Sequence, residues 1–254
     1  PKKSQAVHAW LLDPASCLDP CDAHSIVDGK GADRVAALFS PHPKVNIITA
    51  EGGWMKPLIE DFFRDQPEVQ IFTKARDLPS GDILLILSCW EILNPKILQK
   101  HTHNLVIHES DLPKGKGWSP LTWQVLEGSK SIPITAFEAA DQVDAGDIFL
   151  QGTIKLEGHE LIEEIRTIQA QASFALCQKF IEQFPAIITR KTRQSGESTF
   201  YERRSPKDSR LDPHKTLQDQ FNLLRVVDNE SYPAYFEHEG HTYLVKIEKT
   251  APLS

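Results

Sequence analysis

The sequence predicts an α/β protein: a Rossmann-like, mostly parallel sheet followed by a small C-terminal α+β subdomain. Three observations carry this. Short apolar runs at residues 45–50, 69–72, 82–88 and 105–108 read as strands, and those at 82–88 and 105–108 have the content of buried ones. Helical spacing separates them, and strand–helix–strand at these distances calls for parallel strands joined by right-handed crossovers. From Thr189 onward the chain becomes locally basic and reads as a helix followed by a hairpin.

Residues 1–44 contain a strand-like run at 6–12 and a short helical stretch at 32–39, with no role that can be read from them. Residues 45–188 form the predicted core. Its first strand leads through Gly52-Gly53 into a helix at 54–65, where Leu58, Ile59, Phe62 and Phe63 share a face. The two glycines begin a dinucleotide fingerprint but lack its third glycine. The run 82–88 is nearly all apolar, as a strand covered on both faces requires. A short helix opens at Pro95, and 105–108 is the fourth strand.

Beyond it, Ser119 reads as a helix cap with Pro120 in the first turn, the helix ending at Gly128. Strands at 132–137 and 147–151 flank a turn containing Asp144. The longest helix is expected at 161–184, on the stripe Leu161, Ile165, Ile168, Ala172, Leu176 and Phe180, with Pro185 ending it. In residues 189–254, Arg190, Lys191, Arg193, Arg203, Arg204, Lys207 and Arg210 supply the basic character. A helix at 217–227 and strands at 232–237 and 242–247 around Glu239-Gly240 complete the reading.

Composition is that of an ordinary globular protein, with 40% hydrophobic and 25% charged residues in 254. No apolar run approaches the length of a membrane span, and Pro1-Lys2-Lys3-Ser4-Gln5 leads into only a short apolar stretch, so no signal peptide is read. A formal charge of −7 argues against nonspecific nucleic-acid binding, which rests on Lys and Arg facing phosphates. Cys17, Cys21 and His24 offer three metal ligands without a fourth at standard spacing, so no metal is assigned and free thiols in a reducing cytoplasm are expected.

The stretch with chemistry is Leu105–Gly117, read Leu-Val-Ile-His-Glu-Ser-Asp-Leu-Pro-Lys-Gly-Lys-Gly. An apolar strand breaks at His108 into a loop with one proline and two glycines. In open α/β sheets ligands bind beyond the carboxyl ends of the strands, so His108 is well placed for catalysis; the alternative is a histidine that caps the strand. With Glu138–Asp147 (Glu-Ala-Ala-Asp-Gln-Val-Asp-Ala-Gly-Asp), this stretch resembles the formyltransferase superfamily over roughly residues 45–184. Its members move a formyl group from 10-formyltetrahydrofolate to an amine on methionyl-tRNA, glycinamide ribonucleotide or a sugar nucleotide. His108, Ser110-Asp111-Leu112-Pro113 and Asp144-Ala145-Gly146 match its signature. The family asparagine two residues before the histidine is Val106 here.

The resemblance implies a formyltransferase core with His108 and Asp144 as the catalytic pair, the carboxylate orienting the imidazole. It implies a folate site formed by Ser88, Trp90, Ile92 and Leu93 after the third strand, Ser110, Asp111, Leu112 and Pro113 in the loop, and Asp141 and Val143 before the turn. Lys114, Lys116 and Trp118 would meet the acceptor, the alternative for the lysines being solvated loop residues. Trp123 could also stack on a base or sugar but defaults to core packing, and for Trp90 a buried core position is the alternative to a pocket wall. With an amide missing at Val106, stand-ins for the oxyanion donor are Ser88, Asn94, Ser110 and backbone N–H groups.

Residues 224–233 resemble the C-terminal subdomain of sugar-nucleotide formyltransferases, which with the acidic net charge favours a small amino-sugar nucleotide as acceptor. Methionyl-tRNA is the second acceptor. Hydrolysis of 10-formyltetrahydrofolate and a non-catalytic folate-binding homologue are the other readings. A cytoplasmic protein is expected, with a homodimer left open and no membrane partner.

Overall fold

Residues 43–250 are described by the computed structural model. Six strands form the central sheet: β1 (Val45–Ile48), β2 (Val69–Phe72), β3 (Gly81–Ile86), β4 (His101–His108), β6 (Ser131–Glu138) and β7 (Ile148–Lys155), in the order β2-β1-β3-β4-β6-β7. The pairings β1–β2, β1–β3 and β3–β4 are parallel. The pairings β4–β6 and β6–β7 are antiparallel; for β6–β7 the turn after Glu138 is too short for a crossover and returns the chain as a hairpin. The fold is therefore α/β with a mostly parallel sheet. Two short strands, β5 (Lys116–Gly117) and β8 (Phe200–Tyr201), pair in parallel, and β9 (Ala234–His238) with β10 (His241–Val245) makes a C-terminal hairpin.

The helices are α1 (Lys56–Phe62), α2 (Pro95–Leu98), α3 (Pro120–Leu126), α4 (Ile162–Gln183) and α5 (Phe221–Val226). Strand alternation sends Ile47, Leu85 and Leu105 to one face, where they are buried with Ile59 of α1, Val125 of α3 and Ile165 of α4. The opposite face buries Ile48, Leu84 and Leu93 with Leu78. Leu211, Leu224, Val227 and Ala234 form a third cluster in the C-terminal part.

Several boundaries differ from the sequence reading. The fourth strand starts at His101, four residues early, because His101 and Asn46 bond to each other inside the sheet at 2.7 Å. The helix at 54–65 contracts to Lys56–Phe62, and the strand expected at 147–151 runs on to Lys155. Ser119 does not cap α3: it adopts φ 48° and makes no capping bond, since its predecessor Trp118 is tied to the Tyr201 carbonyl.

The helix expected at 217–227 is only Phe221–Val226. Thr216 and Asp219 bond each other side chain to backbone and side chain to side chain, which closes a turn where the helix would begin. The long helix ends at Gln183, with Phe184 extended before Pro185. The stretches at 6–12 and 32–39 and the Cys17, Cys21 and His24 group lie outside the described residues. Among the described residues, Cys89 and Cys177 are free thiols and no helix is long and apolar enough to cross a membrane.

Candidate active site

His108 is the last residue of β4, and its ring is buried. Its Nε2 lies 2.9 Å from the Gly115 carbonyl oxygen. A carbonyl only accepts, so the ring hydrogen belongs on Nε2 and the lone pair on Nδ1. Asp144 Oδ2 stands 4.0 Å from the same Nε2 and accepts a hydrogen bond from the Gly117 N–H at 3.0 Å. A carboxylate at that distance attracts the positive charge that the imidazole carries once Nδ1 has taken a proton.

The loop from Ser110 to Gly117 is held at both ends. Ser110 N–H donates to the His108 carbonyl at 2.9 Å, and Thr135 of β6 donates its hydroxyl to the Ser110 carbonyl at 2.7 Å. Farther on, Thr199 accepts from the Gly115 N–H at 2.8 Å through its hydroxyl and from the Lys116 N–H at 2.9 Å through its carbonyl. A Cβ on Gly117 would lie 2.4 Å from the Tyr201 carbonyl oxygen, so this ribbon closes only with glycine there.

The sequence-predicted site residues fall into distinct settings. Val106 shares a strand face with Asn104 and His108 by alternation, and it is half-buried. Asn104 donates to the Leu98 carbonyl at 3.2 Å, and its Oδ1 is buried without a hydrogen-bond partner among the described residues. After β3, Ser88 has φ 47°, Trp90 and Ile92 are exposed, and Leu93 is packed in the second core cluster. The core alternative for Trp90 is thereby excluded.

Asp141 and Val143 are exposed. Asp111 Oδ1 accepts from Gln151 at 3.3 Å, and Leu112 is buried in the same loop as Pro113. Lys114 is exposed but Lys116 is only 6% exposed, so the solvated-lysine alternative fails for Lys116. Trp118 is 42% exposed and carries the Arg203 guanidinium 4.9 Å from its ring centre. Trp123 stacks on Tyr201 and donates to the Glu202 carbonyl.

Of the groups expected to replace the amide at Val106, Asn94 is engaged in capping α2 through its oxygen. The Ser110 hydroxyl is buried beside His108 and has no hydrogen-bond partner among the described residues.

Sequence reasoning missed Gly115, Gly117, Thr199 and Gln194. The first three contribute through backbone groups or a small hydroxyl, which leave no signature. Gln194 donates from one nitrogen to the carbonyls of Asp144 and Gly146, from outside the motif that contains them. Glu109 was also missed: its carboxylate accepts from Gln169 of α4 at 2.7 Å. A cavity of about 470 Å³ borders the Asp144 turn, lined by Glu138, Ala140, Gly146, Asp147, Arg193 and Gln194.

Residues 47–177 match the formyl transferase family model. The bifunctional polymyxin resistance protein ArnA of Wigglesworthia glossinidia brevipalpis is 26% identical over 162 residues, 62% of this chain and 24% of that protein. A methionyl-tRNA formyltransferase of Mycoplasma capricolum is 26% identical over 170 residues, 66% of this chain and 53% of that protein. The chain thus spans about half, or less, of the length of these curated relatives.

Among solved structures, a methionyl-tRNA formyltransferase from Clostridium thermocellum superposes with a TM-score of 0.66 at 23% identity, covering 82% of this chain and 93% of that one. A likely sugar N-formyltransferase from Mycobacterium tuberculosis gives 0.61 at 18%, covering 83% and 100%. HypX from Aquifex aeolicus in complex with tetrahydrofolic acid gives 0.64 at 16%, covering 81% and 38%. At these identities the superpositions speak for the fold, and the family follows from the sequence model, which spans more than half of the 254 residues: this chain belongs to the formyl transferase family.

Proposed function

We propose that the protein transfers a formyl group from 10-formyltetrahydrofolate to the amine of an amino-sugar nucleotide, in the cytoplasm. The observation that carries the reading is the setting of His108, with Nε2 held against the Gly115 carbonyl beside the Asp144 carboxylate and Nδ1 left as the base. Nδ1 would take the proton released by the attacking nitrogen and give it to the folate nitrogen as the bond from that nitrogen to the formyl carbon breaks, and Asp144 would attract the imidazolium between the two transfers.

The residues present fit a folate. Trp90 and Ile92 after β3 and Val143 before the turn leave apolar surface exposed, which a flat pterin would cover. When bound, the cofactor supplies the formyl carbon that the amine attacks. Ser88, Trp90, Ile92, Leu93, Ser110–Pro113, Asp141 and Val143 would hold it.

The acceptor assignment draws on Trp118 and Arg203, an exposed aromatic ring with a cation on it, and on Lys114 in the same loop. These suit a base and a diphosphate better than an uncharged amine. Similarity of residues 224–233 to the sugar-nucleotide branch adds support.

The test is turnover of 10-formyltetrahydrofolate with a panel of amino-sugar nucleotides and methionyl-tRNA, comparing the protein with His108→Ala. Formylation of a sugar nucleotide that His108→Ala abolishes is the expected result. Formate release without an acceptor would indicate hydrolysis. Folate binding with no transfer to any amine would indicate a binding protein disabled at Val106.

A further inference from the structure

The turn that holds Asp144 is closed at its base by the Glu138 N–H, which donates to the Asp147 carbonyl at 2.9 Å, and its tip draws on a residue from farther along the chain. Asp144 has φ 54°, in the left-handed region that few side-chain-bearing residues enter. Gly146 presses so closely on β6 that a Cβ would lie 1.7 Å from the Glu138 carbonyl oxygen. The carbonyls of Asp144 and Gly146 both turn toward residue 194 and accept from its Nε2 at 3.1 and 2.9 Å. Gln194 Oε1 is buried without a hydrogen-bond partner among the described residues, so the amide nitrogen is the end that the turn uses.

The chain on either side of Gln194 reinforces this. Thr192 exchanges two backbone bonds with Ile148, at 2.7 and 2.8 Å, and Lys191 pairs with Asp147 at 2.8 Å. A few residues on, Thr199 and Tyr201 grip the backbone of Gly115, Lys116 and Trp118. One strap, residues 191–201, therefore fastens both the loop that fixes the His108 ring and the turn that fixes the Asp144 carboxylate. It lies outside the 47–177 match.

We propose that Gln194 is the positioning residue for Asp144. Two hydrogens on one nitrogen satisfy two carbonyls at once and lock the turn in the conformation that aims Oδ2 at the Gly117 N–H and His108 Nε2. A glutamate has the same shape and no hydrogen to give, and it would face the two carbonyls with negative charge. A methionine fills similar volume without polarity. The kinetic part of the test rests on the formyl-transfer reading; the exchange part does not.

The experiment compares Gln194→Glu and Gln194→Met in the 254-residue chain with the parent in two ways. Amide hydrogen exchange of residues 140–148 and of Gly117 is measured without ligand, with melting curves confirming that each variant folds. The kcat and acceptor KM are measured in the formyl-transfer assay. Exchange at these amides is expected to rise about tenfold or more in both variants, with kcat down about 10- to 100-fold and KM within about twofold. Parent-like exchange and kcat in Gln194→Glu would overturn the proposal, because space-filling would then suffice. If the parent transfers formyl to no acceptor, the formyl-transfer reading falls and exchange alone decides: faster exchange upholds the clamp, unchanged exchange overturns it.

Discussion

Nε2 of His108 and Oδ2 of Asp144 stand 4.0 Å apart at the end of β4, too far for a hydrogen bond and near enough for their charges to interact. In the proposed formyl transfer Asp144 would therefore act through charge and through its bond from Gly117, while the Gly115 carbonyl sets the tautomer.

Asp144→Asn separates these contributions. The amide oxygen can still accept from Gly117, but the negative charge beside the imidazole is gone. The kcat for formyl transfer is expected to fall about 100-fold or more with little change in acceptor KM. Steady-state kinetics check this, and a variant with parent kcat would remove Asp144 from the mechanism.

Val106 lies between Ile86 of β3 and Phe137 of β6, on the strand face that ends in His108. A valine offers no hydrogen to an oxygen that gains charge during acyl transfer. Val106→Asn places a donor there, and a rise in kcat of up to about 100-fold is expected. The half-buried amide should lower stability by about 1–2 kcal/mol, read by urea unfolding. An unchanged kcat would mean that the oxygen already has a donor, with the Ser110 hydroxyl as the first to replace.

The buried strands are legible in the sequence because short apolar runs such as the one containing Ile83–Leu85 are bounded by turn residues and match strand length. Two motifs single out His108 and Asp144, and the structure brings their side chains within 4.0 Å of each other. What stays hidden has no side-chain signature or too distant a partner. Gly115 works through a carbonyl, and Gln194 reaches Asp144 across 50 residues. Ser119 shows the opposite failure. Its sequence makes it a helix cap, but pairing between β5 and β8 sets the backbone just before it, and the local preference loses.

Burial pushes the Glu109 carboxyl above the usual carboxylate range, against the neighbouring His108 and the bond from Gln169. A raised native value means that the folded state holds this proton more tightly than the unfolded chain does. The resulting stabilisation is complete below the ordinary glutamate value of 4.5 and is lost as pH rises through the native value. Glu109→Gln removes the titration and keeps an oxygen to accept from Gln169. The melting temperature of the variant should therefore gain on the parent as pH rises from about 4. A difference independent of pH, measured by calorimetry across that range, would contradict the burial of this carboxyl.

Arg225 of α5 is buried, and its guanidinium donates to the Glu160 carboxylate at 2.6 Å and to the Glu160 carbonyl at 2.9 Å. Burial opposes ionisation of Glu160, but the N–H groups of Glu157 and Gly158 together with Arg225 outweigh it and hold the carboxyl below its usual range. The pair ties the C-terminal helix to the loop that leads into α4. Removing one partner leaves a buried charge unmatched, so Arg225→Met is expected to cost about 3–5 kcal/mol in urea unfolding. Adding Glu160→Gln removes that charge and keeps an acceptor for the two N–H groups, so the double variant should be less destabilised than the two single losses added together. Strict additivity would mean that the two side chains stabilise the fold independently, through packing and the backbone bonds alone.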